Sequence, residues 1–274
     1  MNRWREDAVL FVRAARARAW VRVIGVLREP HGMLMDAVFP NLGMCAYVLL
    51  YRALGAPAEF EALAVVGGIL MTYWLNVLWG MGAQFFWEKQ SGQLPLYFAA
   101  PCSRMAILVG MATGGLASTV LRSLVGVALA VFVFHVKFAP FSPVVFAAVF
   151  LATMAALYAL GMIMASLFLL YGREAWHTCN ALMEPTSFAA GLYFPVRTLG
   201  AFGALAASLV PLGLGVDAVR QVLLGPVAQP LLPVRTEFVL LCAYAAVALV
   251  VARYALRHLE NLSKREGRLT QRWQ

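Results

Sequence analysis

The chain has 274 residues, of which 62% are hydrophobic and only 13% charged, with a mean hydropathy of +0.76. Soluble domains carry about 25% charged residues, and burying this much apolar side chain in one core would leave exposed patches that soluble monomers rarely tolerate. Composition excludes a water-soluble globular domain, and the net charge of +9, carried largely by arginines beside apolar stretches, points to anionic lipid headgroups and not to nucleic acid.

A helix needs about 20 apolar residues to cross hydrocarbon about 30 Å thick. On that basis spans are predicted over 33–54, 62–86, 106–134, 143–171, 178–195 and 236–256. Barrel strands alternate apolar and polar residues over about ten positions. The run from Val144 to Leu151 does not alternate, so the fold class is all-α: a polytopic membrane protein with six transmembrane helices.

In chain order, residues 1–32 read as a cytoplasmic interfacial helix. Trp20, Val23, Ile24 and Leu27 share one face and Arg18 and Arg22 the other, which suits a helix lying in the headgroup region with its apolar side down. Pro30 and Gly32 break it before span one, where Asp36 is expected to stay at headgroup level because a buried carboxylate is expensive. Arg3, Arg5, Arg13, Arg16, Arg18, Arg22 and Arg28 precede span one; Arg253, Arg257, Lys264, Arg265, Arg268 and Arg272 follow the last apolar stretch. Lys89 and Arg104 in the loop 87–104, and Arg173 in the turn 172–177, fall on the same side. The positive-inside rule places this side, with both termini, in the cytoplasm, so 257–274 is a basic cytoplasmic tail and an even span count is required. Six satisfies it within one transmembrane domain, 33–256.

Spans one and two form a hairpin through a short outer connection, Gly55 to Phe60, and spans three and four are joined over His135 to Ser142. The segment 196–233 is apolar but rich in Gly and Pro. It is too long for a simple loop and too interrupted for a clean span, so it reads as a re-entrant helical hairpin dipping from the outer face. Irregular backbone at that depth is tolerated only against protein or water. The four cysteines and four histidines are dispersed, with neither a disulfide framework nor metal-ligand spacing. No cleavable signal peptide is evident ahead of span one.

The segment from Trp87 to Arg104 opens on a charged pair, turns at Gly92 and ends in Pro101-Cys102-Ser103-Arg104. With its Glu88, Gly92, Leu94, Ala100, Pro101, Ser103 and Arg104, it resembles the loop after the second span of ABC-2 type exporter permeases. Gln93 stands where that family usually has Thr, and Pro95 where it usually has Glu. Pro185, Phe188, Gly191, Phe194 and Pro195 match a second signature of the family. The stretches from Val210 and Ala218 resemble a third, with Val210 in place of Asn, and Gly200 stands where a second Pro is common. The resemblance covers most of 62–256. It implies that 87–104 is the coupling element docking on a separate ATPase subunit, through Glu88, Gly92, Gln93, Leu94, Pro101, Ser103 and Arg104. Gly191, Phe194 and Pro195 belong to the re-entrant region.

The chain has no Gly-x-x-x-x-Gly-Lys-Ser/Thr motif, the loop that cradles nucleotide phosphates. Any ATP hydrolysis must therefore happen on another polypeptide or not be involved at all; the resemblance implies ATP and Mg on the partner subunit, with no cofactor or metal bound by this chain. Two charges remain inside spans. Arg122 is expected in the outer half of span three; it either snorkels to the headgroups or lines the substrate path or dimer seam. Glu184, before Pro185, either approaches Arg122 across a shared polar cavity or bonds backbone groups freed by the proline. No His, Asp or Ser cluster at one depth supports catalysis, and the run Gly110 to Gly115 reads as a small-residue surface for close helix packing.

The sequence thus predicts a non-catalytic permease subunit of an ATP-driven exporter in the bacterial inner membrane. Its partners would be an ATPase subunit, a second copy or homologous permease, and membrane lipid. The substrate would be an amphiphile such as a lipid-linked glycan or a hydrophobic drug. A secondary transporter or channel without an ATPase is the alternative.

Overall fold

The computed structural model describes residues 2–171 and 173–265. All regular elements among them are helical. Helix α1 (Asn2–Arg28) meets α2 (Pro30–Ala53) at Glu29, whose backbone leaves the helical region at φ −115, ψ 70. Pro30 opens the first span instead of interrupting the chain before it, because a helix's first position has no N–H bond to lose. Helix α3 (Ala58–Leu75) runs on through a π-helical turn, Asn76–Gly82, into two short helices, α4 (Gln84–Gln90) and α5 (Leu94–Ala99). Then come α6 (Arg104–Ala128) with a second π-helical turn at Leu129–Val133, α7 (Pro143–Tyr171), α8 (Arg173–Ala189), α9 (Gly200–Leu209), α10 (Pro211–Leu224) and α11 (Val234–Arg265). The predicted basic tail is helical as far as Arg265; residues 266–274, and Gly172 in the predicted inner turn, lie outside the described residues.

Among the described residues five helices are long and apolar enough to cross a bilayer, over 30–53, 58–82, 104–133, 143–168 and 234–258, and the bent pair 203–209 with 211–224 passes together as a sixth. The predicted span 178–195 differs: α8 has only 17 residues, and Gly191 follows it in the left-handed conformation at φ +59. Helix and turn together still run the length of the bundle. Near the start of α8, Trp176 packs on Trp79 and Trp87, with ring centroids 4.5 and 5.8 Å away. Beyond its other end Tyr193 stacks on Tyr47 at 4.1 Å, and the Tyr51 hydroxyl donates to its carbonyl at 2.7 Å. Helices α9 and α10 are bent by 101° at Val210, which is extended (φ −106, ψ 127) because the following Pro211 disfavours the helical region for it. This is the broken hairpin expected in 196–233.

The centre of the bundle is α3, with 78% of its apolar window buried, against 22% for α2 and 28% for α6 and α11. Helix α10 is buried from Pro211 to Arg220, and α7 packs against both α10 and α11. Exposed Leu42, Leu49, Phe132, Val247 and Val250 on the outer helices have the apolar character that lipid contact requires.

Candidate functional site: the clamped loop between the second and third spans

The loop is built from two short helices and a tight reversal. Helix α4 ends in a Schellman arrangement: the Gly92 N–H donates to the Lys89 carbonyl at 3.1 Å and the Gln93 N–H to the Glu88 carbonyl at 2.9 Å. Gly92 sits at φ +74, a left-handed conformation that glycine adopts without the Cβ clash other residues suffer. The chain re-enters a helix at Leu94, which is wholly buried, while Leu96 is 69% exposed. Ala100 and Ser103 are extended, and Ser103 stands at the N-cap of α6 without closing a side-chain cap bond.

Glu88 is buried, at 5% exposure, and its carboxylate is surrounded by donors. Arg18 of α1 forms an ion pair with it, the Gln84 amide donates at 2.7 Å and the Tyr97 hydroxyl at 3.1 Å. The Arg18 guanidinium also lies over the Tyr97 ring, 5.4 Å from its centroid. One turn along α1, Arg22 donates to the Gln84 side-chain oxygen at 2.5 Å. Burial first, with the Glu88 carboxylate and against the Arg18 charge, pushes the Tyr97 phenol up to about 12, so it remains a donor at neutral pH. A buried carboxylate is tolerated when paired and hydrogen-bonded in this way.

The two faces of α1 separate as the sequence pattern sets them out. Its arginine face is the packed one: Arg18 and Arg22 turn into the loop network, while Trp20 and Leu27 are 66% and 52% exposed. The small-residue surface of α6 makes this possible. A Cβ at Gly114 would stand 2.8 Å from the Ala19 carbonyl oxygen, and Gly110 is equally crowded by Ala15 and Arg18. The partners of these arginines, Gln84 and Glu88, are more than sixty residues away in sequence, so local spacing did not reveal them.

The candidate loop residues therefore divide. Glu88, Gly92 and Leu94 hold the loop together, whereas Gln93, Pro101 and Ser103 are exposed and Arg104 is half-buried at the head of α6. Spacing alone did not single out Arg18, Arg22, Gln84 and Tyr97.

Arg122 and Glu184 do not form a pair. Arg122 donates to Asp36 at 2.9 Å, whereas Glu184 is exposed on α8. Asp36 is the seventh residue of α2, which at 1.5 Å per residue is about 9 Å along the helix. Arg122 is the nineteenth residue of α6, about 27 Å along that helix from the loop, and the Asp36 side chain stays 56% exposed while paired with it.

At the far end, Gly191, Phe194 and Pro195 form the turn before the hairpin. The fully buried Arg220 of α10 holds it by donating to the carbonyls of Gly191, Leu192 and Phe194 at 2.8, 2.6 and 3.3 Å, and to Leu63 of α3 at 2.9 Å. Asp217, one turn earlier, accepts the Leu231 N–H at 2.7 Å. An arginine in an apolar helix was the available signal for this pin.

The fold is that of a polytopic helical membrane protein with a loop clamped at one end of the bundle. The family model for the ABC-2 type transporter matches residues 2–224, and the chain belongs to that family. The match includes α1, which the motifs alone did not reach, and ends at the last residue of α10. No curated protein matches the chain.

Proposed function

We propose that this chain is the permease subunit of an ATP-driven exporter, carrying an amphiphile out across the bacterial inner membrane on energy supplied by a separate ATPase subunit. The observation that carries this reading is the clamp itself. Arg18, Gln84 and Tyr97 converge on Glu88, so α1, α4 and α5 move as one body, while Gln93, Leu96, Pro101 and Ser103 stay exposed on its outer surface. A rigid body with an exposed face can pass a displacement from a bound partner to α3 and α6, the spans at its two ends. ATP binding on the partner shifts the bundle if it favours one of two packings of similar energy. The other membrane-embedded face belongs to a second copy or homologous permease. The concentration of arginine near α1 and the loop supports a cytoplasmic position for this end and for both termini.

A photo-crosslinking residue at Leu96 or Gln93 is expected to capture a P-loop ATPase in cells, while the same residue at lipid-facing Leu42 captures none. Equal capture at all three positions, or none at the loop, would remove the loop from the partner interface.

A further inference from the structure

A second feature shares a wall with the clamp, through Arg22 and Gln84. A cleft of about 400 Å³ opens between α1, α2, the π-helical turn, α4 and α6. Arg22 and Arg122 line it, with Asp36 as the one carboxylate. Asn76 and Gln84 add amides to its wall, and exposed Met35, Phe39 and Trp87 form its rim. The walls thus carry two guanidinium groups against one acid.

The two sides of the Asp36–Arg122 pair are unequally solvated: the Asp36 side chain is 56% exposed, that of Arg122 only 11%. Arg122 also keeps a buried Nε with no hydrogen-bond acceptor among the described residues. Burial, then the charges of Arg18 and Arg122, lower the pKa of the Arg22 guanidinium from its ordinary value, so the arginines crowd one another. An incoming anion would release Asp36 to water, where it is well hydrated, and leave Arg122 paired. A group with several acceptor oxygens would also satisfy the idle Nε. Pro40 adds looseness at this point, since it cannot donate to the Asp36 carbonyl one turn before it. The apolar rim continues along α2 through exposed Phe39 and Leu42, a track for a hydrocarbon tail and not for a free ion.

We infer that this cleft binds an anionic amphiphile, its phosphate or carboxylate head between Arg22 and Arg122 and its tail along the exposed face of α2. That the bound amphiphile is cargo rests on the permease reading; that it binds does not.

The test is a titration of the purified full chain in nanodiscs with dibrominated phosphatidic acid and dibrominated phosphatidylcholine, read by quenching of tryptophan fluorescence. The anionic lipid is expected to quench at lower mole fraction, and a W79F/W87F double variant to lose that component. Arg122→Gln is expected to weaken the anionic binding by roughly tenfold or more, the worth of a lost charge-assisted hydrogen bond. Asp36→Asn, which removes the competing carboxylate, is expected to tighten it. Both variants break the same ion pair, so a purely structural role would shift them in one direction. Shifts of the same sign, no shift, or equal quenching by the two lipids would overturn the proposal. Full competition by inorganic phosphate at matching concentration would overturn the tail. None of these readouts involves an ATPase, so a failure here and a failure of the permease reading are distinguishable.

Discussion

Withdrawing a carboxylate from water inside a short inter-span loop costs several kcal/mol unless donors replace the lost hydration. Glu88 receives them from Arg18, Gln84 and Tyr97. Glu88→Ala leaves Arg18 buried without its ion pair and is expected to destabilise the protein by about 3 kcal/mol, seen as earlier thermal aggregation in detergent. Glu88→Gln keeps the shape and should lose less; equal loss in both would show that packing, not charge, holds the clamp. The Tyr97 phenol gives a pH signature. Its pKa rises from 10.0 to about 12 in the folded protein, so folding favours the protonated phenol. That stabilisation is complete below 10.0 and disappears as pH climbs through about 12. Tyr97→Phe should flatten the fall in thermal stability across this window, and an unchanged profile would contradict the burial of the phenol beside Glu88. Gly92→Ala is expected to cost about 1–2 kcal/mol, the penalty for a left-handed residue with a Cβ, and Gly92→Pro more, because it also removes the N–H bonded to Lys89.

Helix α1 is held against α6 by shape as much as by charge. Gly114→Leu would force a side chain into the Ala19 backbone and is expected to separate the two helices, withdrawing Arg18 from Glu88. The separation should show as earlier thermal aggregation in detergent, close to that of Glu88→Ala; a parent-like profile would contradict the packing. The elements differ in how far the sequence revealed them. Five spans were legible because bilayer thickness demands about 20 apolar residues regardless of tertiary context. The small-residue surface of α6 was legible because close approach admits few residue types. Helix α8 was overdrawn at its far end, since the apolar residues that continue its pattern belong to a turn fixed by Gly191 and Arg220. What the arginine face of α1 packs against was not legible, because amphipathic spacing separates two faces without naming the partner of either.

Across the described residues, the clamp and the Arg220 pin stand at opposite ends of α3, with the ion pairs Arg122–Asp36 and Arg52–Glu61 besides. Between clamp and pin 78% of the apolar window of α3 is buried, so a single packed helix connects the loop to the hairpin turn. The loop's place between the second and third spans was readable from local motif. The network that fixes it was not, because Arg18 and Glu88 lie 70 residues apart and no local period relates them. Likewise Arg122 was readable as an unusual intramembrane charge, but its partner followed only from the crossing of α2 and α6. The central claim is that the clamped loop transmits ATP energy from a separate subunit. The most direct test is mild-detergent purification of the tagged chain from its own cells, followed by an ATPase assay on the eluate. We expect a co-eluting P-loop subunit whose hydrolysis is coupled to transport in the parent chain and uncoupled in Glu88→Gln and Gly92→Ala. A chain that elutes alone and without ATPase activity would contradict the account and favour a transporter or channel that works without ATP.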